Sequence, residues 1–232
     1  MNNYINGTSA LKIVEFPKKV EQPKKERKTS NYKVGEKQEV YPFKSKEDLN
    51  AMHNYFVEKG HYRDDLMFIL GINVGLRAGD LLALKWSQIL REDRTINDGI
   101  TVKEEKTGKF RTFYLNDSCK NAIGSYYKMI ISESFEMDSY VFASQKGKHI
   151  QTRPACNIIK TAAKAVGIEY NVGTHSLRKT FGYHQLKAHT DDALFLCELQ
   201  EMFGHSSPKI TLRYCGLEGE KIQKYYNDVN LL

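Results

Sequence analysis

The chain has 232 residues, 41% of them hydrophobic, and no apolar run reaches the ~18 residues of a membrane-spanning helix. The N-terminus lacks the apolar core of a secretory signal, and Cys119, Cys156, Cys197 and Cys215 are scattered without a C-x-x-C pair, which argues against a zinc site or a disulfide framework. Of the formal charge of +7, most sits in front: residues 1–46 hold 11 Lys and Arg against 5 Asp and Glu, leaving 24 against 23 behind them. A basic segment ahead of a nearly neutral body points to a polyanionic partner, most simply nucleic acid, and free thiols suit a reducing cytoplasm.

Residues 1–40 read as a flexible basic arm. Pro17, Pro23 and the run Lys24-Lys25-Glu26-Arg27-Lys28 interrupt any periodic pattern, and Leu11 to Phe16 offers one short strand. Lys24, Lys25, Arg27 and Lys28 are the arm's expected nucleic-acid contacts. The folded domain spans 41–232 in this reading. Ser45-Lys46-Glu47-Asp48 marks a helix start, Leu49, Met52, Tyr55 and Phe56 recur at helical spacing, and Gly60 ends the helix. A second helix carrying Leu66, Met67, Ile69, Leu70, Ile72 and Val74 is apolar enough to be buried, and it delivers Gly75-Leu76-Arg77. Leu81, Leu82 and Leu84 begin another apolar face that ends at Trp86.

After Arg94 the period changes to alternation. Ile100–Val102 and Phe110–Leu115 flank Lys106-Thr107-Gly108-Lys109 as a hairpin, with Tyr140-Val141-Phe142 a candidate third strand. Helices are expected over 118–132, 153–166, 176–188 and 192–203. The densest chemistry lies between Thr174 and Tyr214. His175 and Arg178 stand three apart and share a helix face. His205 sits in a Gly-His-Ser-Ser-Pro turn, where Ser207 caps and Pro208 opens a short helix over 209–213. That helix would hold Tyr214 near His205. Two imidazoles, a guanidinium and a phenol in one place suggest phosphate chemistry with a tyrosine nucleophile. Singly, each of these residues is ordinary; the ordered set carries the reading.

The series His175-x-Leu177-Arg178, then Gly204-His205-Ser206-Ser207, then a tyrosine nine residues after that histidine resembles the catalytic end of the tyrosine recombinase (phage integrase) family. Gly75-Leu76-Arg77-Ala78-Gly79-Asp80 through Trp86 resembles the segment bearing the family's first catalytic arginine. Glu104-Glu105-Lys106-Thr107-Gly108-Lys109 resembles its lysine hairpin. The match keeps the family's order from about Tyr41 to Tyr226. The resemblance implies an α/β fold, mainly helical with a small antiparallel sheet. It also implies that the helical core-binding domain usual in front is missing, since some forty polar residues cannot bury a four-helix core.

Phosphodiester cleavage requires a nucleophile, neutralisation of growing negative charge, a proton acceptor and a proton donor. Asp80, Glu104 and Glu105 are not arranged as a two-metal carboxylate site, so neither a metal nor another cofactor is expected. Two arginines can substitute, because a planar guanidinium bridges two non-bridging oxygens. The resemblance assigns that role to Arg77 and Arg178. Tyr214 would become joined to a DNA 3′ phosphate and expel a 5′ hydroxyl, with His175 the candidate base. Lys106, on a mobile hairpin, would protonate the leaving oxygen, with Lys109 the second candidate. His205 would donate a hydrogen bond to the phosphate, and Asp80 would brace the site by orienting an arginine. His184 and His189 fall outside the motif and read as ordinary residues, His184 being the one that could reach DNA.

The implied activity is site-specific strand exchange on double-stranded DNA without ATP, in the cytoplasm at the nucleoid. Expected partners are a monomer in solution that becomes a tetramer on paired sites, and an accessory DNA-binding protein in place of the missing domain. The stripe Ile222, Tyr225, Tyr226, Val229 and Leu232 would form a C-terminal helix docking on a neighbouring protomer. Two alternatives stay open: a type IB topoisomerase-like relaxing enzyme, and a non-recombining DNA-binding or regulatory protein that keeps the fold.

Overall fold

The computed structural model describes residues 39–131, 135–145, 147–217 and 226. Lys24, Lys25, Arg27 and Lys28 of the basic arm, and the C-terminal stripe apart from Tyr226, lie outside the described residues. Helix α1 (Lys46–Glu58) opens where Ser45 Oγ accepts from the Asp48 amide at 3.1 Å, and Gly60 follows its end with a left-handed φ of 68°. Helix α2 (Tyr62–Val74) buries Leu66, Met67, Phe68, Leu70 and Val74, as its nearly unbroken apolar sequence requires. It is the central post of the fold. Short helices α3 (Ala78–Leu82) and α4 (Trp86–Ile89) follow, the second planting Trp86 against Tyr126, Tyr127 and Phe135.

Strands β1 (Gly99–Lys103) and β2 (Phe110–Tyr114) form an antiparallel hairpin in which Ile100 faces Phe113 and Val102 faces Arg111. Helices α5 (Asp117–Ile130), α6 (Thr152–Ala165), α7 (Thr174–Ala188), α8 (Phe195–Phe203) and α9 (Pro208–Tyr214) complete the described elements. The expected third strand at Tyr140-Val141-Phe142 is absent: Tyr140 makes an isolated bridge to Lys85, and the Val141 amide donates to Leu84 O at 2.9 Å. Val141 and Phe142 are both fully buried, so the segment lacks the alternation of a one-faced strand and lies as a core-filling loop. Helix α8 begins at Phe195 rather than 192, because Asp192 Oδ1 accepts from the Leu194 and Phe195 amides and holds a turn ahead of it.

Helix α7 lies directly on α2. A Cβ placed on Gly71 would come within 2.6 Å of Leu177 Cδ1, and one on Gly75 within 2.4 Å of Phe181 Cδ1, so only glycine allows this approach. The close approach carries Arg178 onto the end of α2. The described core falls into a large cluster around α2 and a small one of Phe181, Leu199, Phe203 and Cys215. The small cluster joins α8 and α9 to α7. Burying its two phenylalanines and one leucine is worth about 1.5–3 kcal/mol per side chain, which suffices to seat two short helices that would not persist alone.

Candidate active site

Arg178 is only 4% exposed, although the charge on its guanidinium favours water. Its Nη1 donates to Gly75 O at 2.6 Å and its Nη2 to Phe203 O at 3.1 Å, and the guanidinium lies 4.3 Å from the Phe203 ring centroid. These charge-assisted contacts offset the desolvation. Burial pulls its pKa down to about 10, countered in part by Tyr214 and Glu104. The group remains a cation at neutral pH.

Arg77 occupies the extended residue between the left-handed Gly75 and the start of α3. Its Nη2 donates to the same Phe203 carbonyl at 3.2 Å. Its Nη1 lies 2.6 Å from Glu104 Oε1, a close ion contact without hydrogen-bond alignment. Arg111 of β2 donates to Met202 O and, at 2.8 Å, to Glu201 O. Three guanidinium groups therefore gather at the last turn of α8, whose carbonyls have no partners within the helix and carry the negative end of its dipole.

The hairpin turn is anchored from both sides. Asp80 Oδ1 accepts from the Glu105 amide at 3.0 Å, and Thr107 Oγ1 donates to Glu104 Oε2 at 2.6 Å. The Gly108 amide closes on Glu104 O at 2.8 Å. Lys106 and Lys109 are exposed on this turn, and Lys106 is near enough for its charge to act on His205. Asp80 thus braces the lysine hairpin, where sequence reasoning has it orienting an arginine. Glu104 is the carboxylate that meets the arginines, and its site role, like that of Arg111, is missed from sequence. Alternation was the available signal: Glu104 continues the buried face of Ile100 and Val102, and Arg111 that of Phe113 and Leu115. Burial pushes the Glu104 carboxyl up, but Arg77, Thr107 and Arg111 together hold it below its usual range.

His205 lies just ahead of the Ser207 cap of α9, and Tyr214 is the last residue of that helix. Ser207 Oγ accepts from the Ile210 amide at 3.4 Å, and Pro208 opens α9, as the sequence predicts. Gln200 clamps the His205 backbone with two 3.0 Å hydrogen bonds. His205 Nδ1 lies 3.0 Å from Thr211 Oγ1, and its ring centroid is 5.0 Å from that of Tyr214. Tyr214 is also packed edge-on to Phe203 at 5.6 Å, with Lys179 Nζ 5.5 Å from its ring centre. Burial raises the Tyr214 pKa, and the charges of Arg178 and Arg77 oppose that rise. His175 is exposed on the first turn of α7; partial desolvation lowers its pKa, aided by Lys179 and Arg178. The His205 pKa is lowered too, by burial and then by Arg178, Arg77 and Lys106.

The structure thus gathers Arg77, Arg178, His205 and Tyr214 around the end of α8, with His175 on the same helix as Arg178 and Lys106 on the adjoining turn. His184 Nε2 lies 2.9 Å from Phe43 O, a structural contact in keeping with an ordinary residue. His189 stacks on Phe195 at 4.2 Å. Among the described residues no three His, Cys, Asp or Glu side chains form a metal-holding group, and no helix is long and apolar enough to cross a membrane.

The same fold occurs in solved structures. The fold is that of tyrosine recombinase catalytic domains: a crystal structure of XerA recombinase matches 86% of this chain and 66% of its own, with a TM-score of 0.63 at 24% identity. XerH site-specific recombinase, bound to palindromic difH substrate in a post-cleavage complex, matches 79% of this chain and 51% of its own, with a TM-score of 0.62 at 19% identity. The chain belongs to the phage integrase family, whose model matches residues 42–220. It is 35% identical over 188 residues to the probable integrase/recombinase YoeC of Bacillus subtilis, covering 81% of this chain and 95% of that protein. Tyrosine recombinase XerC of Caldanaerobacter subterraneus is 28% identical over 184 residues, covering 79% of this chain. The chain spans about half of that longer relative, 48% of its length.

Proposed function

We propose that this protein is a site-specific recombinase that cuts and rejoins double-stranded DNA through a covalent 3′-phosphotyrosyl intermediate. The observation that carries the reading is the convergence of Arg77 and Arg178 on the Phe203 carbonyl beside His205 and Tyr214, in a chain of the phage integrase family. In this scheme Tyr214 Oη attacks phosphorus, and the bond from phosphorus to the 5′ oxygen breaks. The phenolic proton passes to His175, while Lys106 gives a proton to the departing 5′ oxygen, with Lys109 the alternative donor. Arg77, Arg178 and His205 hold the non-bridging oxygens, where charge accumulates. Rejoining reverses each transfer. The phosphotyrosine ester conserves the energy of the broken bond, so the cycle consumes no ATP.

The basic arm, through Lys24, Lys25, Arg27 and Lys28, adds grip on the phosphate backbone, and assembly on paired sites brings four copies together through the C-terminal stripe. Deleting 221–232 then leaves single-site binding nearly intact and abolishes paired-site complexes. An accessory DNA-binding protein and a place at the nucleoid belong to the same reading. The core chemistry is tested with nicked duplexes made from the protein's own flanking sequences. The wild type forms a denaturant-resistant adduct in EDTA, whereas Tyr214→Phe binds equally and forms none. An adduct in the Phe variant moves the nucleophile to Tyr225 or Tyr226, and an EDTA-sensitive reaction overturns the scheme.

A further inference from the structure

Glu104 is a carboxylate 1% exposed to solvent at the edge of a site whose proposed chemistry gives it no part. It faces three different neighbours at once. One oxygen, Oε1, sits 2.6 Å from Arg77 Nη1 and 3.6 Å from Arg111 Nε. The other, Oε2, accepts from Thr107 Oγ1 at 2.6 Å. Thr107 is the neighbour of Lys106 in the turn, and its Oγ1 also accepts from the Lys109 amide at 3.3 Å. The Glu104 backbone closes the same turn, donating to Lys109 O and accepting from the Gly108 amide. A buried anion is costly unless it is compensated: Oε2 is hydrogen-bonded by Thr107, and Oε1 is offset by the charges of Arg77 and Arg111 without an aligned hydrogen bond.

We infer that Glu104 is a positioning residue that fixes the phosphate-binding arginine and the proton-donating lysine relative to each other. The inference rests on the recombinase reading and deepens it. Arg77 comes from the α2–α3 junction and Lys106 from the β1–β2 turn, two segments with no covalent reason to keep register. Asp80 ties the same segments once, through the Glu105 amide. That bond fixes the backbone of the turn but does not reach the Arg77 guanidinium, whose other anchor, Phe203 O, belongs to α8 and not to the hairpin. Glu104 supplies the missing constraint, with one oxygen for each partner. Glutamine keeps the shape and one acceptor but removes the anion that holds Arg77. Valine at position 107 keeps the turn's bulk and removes the hydroxyl that ties Glu104 Oε2 to the turn beside Lys106 and accepts from the Lys109 amide, leaving the Glu104–Arg77 contact in place.

The two links have different chemical signatures. Losing the proton donor matters only while the leaving group needs a proton. A 5′-bridging sulfur needs none, because thiols ionise near pH ~8.5 and alcohols far above it. Losing the arginine's position weakens charge stabilisation whichever atom leaves. The experiment measures adduct formation on matched duplexes with 5′-oxygen or 5′-sulfur at the cleaved phosphate, the position being mapped first with the wild type. Thr107→Val is expected to lose at least about tenfold on oxygen and to return within about threefold of wild type on sulfur, the pattern also expected of Lys106→Ala. Glu104→Gln is expected to stay impaired by at least about tenfold on both. Thr107→Val at the wild-type rate on oxygen, or Glu104→Gln fully restored by sulfur, overturns the inference.

A wild type that forms no adduct would sink the recombinase reading instead, and the coupling is then read by hydrogen exchange on the protein alone. Thr107→Val should speed exchange at Gly108 and Lys109 only, and Glu104→Gln both there and across Arg77 to Asp80. Unchanged protection of the turn in both variants refutes the linkage.

Discussion

Arg77 and Arg178, from opposite halves of the chain, donate to one backbone oxygen, that of Phe203, at 3.2 and 3.1 Å. A shared acceptor fixes the spacing of two guanidinium groups without any contact between them, and like charges would otherwise separate. The acceptor belongs to the last turn of α8, whose negative dipole end offsets part of that repulsion. The phosphate binding proposed for this pair would thus depend on a helix that itself touches no substrate in that chemistry.

Arg178→Lys retains the charge and loses the fork. A single ammonium cannot reach Gly75 O and Phe203 O with the same planar geometry and still face a phosphate. Adduct formation should fall by a factor on the order of 10² or more, with DNA binding changed far less. Single-turnover cleavage against a binding isotherm separates the two; an undiminished cleavage rate would remove Arg178 from the site.

The proton acceptor sets the pH profile. Burial, then Lys179 and Arg178, lower the His175 pKa from 6.5, so its neutral, proton-accepting form persists to more acidic pH than in a free imidazole. Burial raises Tyr214 from 10.0, so the phenol needs a base throughout the neutral range. The cleavage rate should therefore climb with pH and level off below about pH 6.5, and His175→Gln should remove that limb. A rate that keeps climbing toward about pH 10 in the wild type would show that His175 is not the base.

Locally encoded features of this fold are readable from sequence. Ser45 and Ser207 cap their helices, Pro208 opens α9, and Gly108 turns the hairpin with a φ of 67°, each within a few residues of its cause. The ordered residues Arg77, His175, Arg178, His205 and Tyr214 are read as a set through the family resemblance, and the structure brings Arg77, Arg178, His205 and Tyr214 together at the end of α8. The partners that hold them are not legible in the sequence. Glu201, Met202 and Phe203 act through backbone carbonyls, which carry no side-chain signature, and Glu104 reaches Arg77 only after the hairpin folds back. Asp80 looked suited to an arginine three residues away, yet its carboxylate turns to the Glu105 amide.

Two helical glycines should respond in opposite directions to alanine. A Cβ on Gly124 in α5 meets nothing within 4 Å, so Gly124→Ala gains helix propensity alone, about 0.8–1 kcal/mol. A Cβ on Gly182 in α7 would lie 2.5 Å from Cys215 Sγ and 2.9 Å from Phe203 Cε2. Gly182→Ala must push α8 and α9 outward, a cost of about 1–3 kcal/mol that exceeds the propensity gain. Denaturant midpoints give the signs. Because Phe203 seats both arginines, Gly182→Ala should also slow adduct formation, whereas Gly124→Ala should not.

The basic arm makes its contribution visible through salt. Residues 1–46 carry 11 Lys and Arg against 5 acidic residues, and the rest of the chain is almost balanced, so the long-range attraction to DNA resides mainly in front. Each phosphate neutralised releases counterions and adds about 0.9 to the slope of log affinity against log salt on duplex DNA. Removing 2–40 should flatten that slope by about 0.9 for every arm cation that reaches a phosphate, and weaken binding most at low salt. Tyr214 and the arginine pair lie outside the deleted segment, so adduct formation at saturating protein should persist. An unchanged slope would mean that the arm does not touch the backbone, and that the grip comes from the catalytic domain or from a partner.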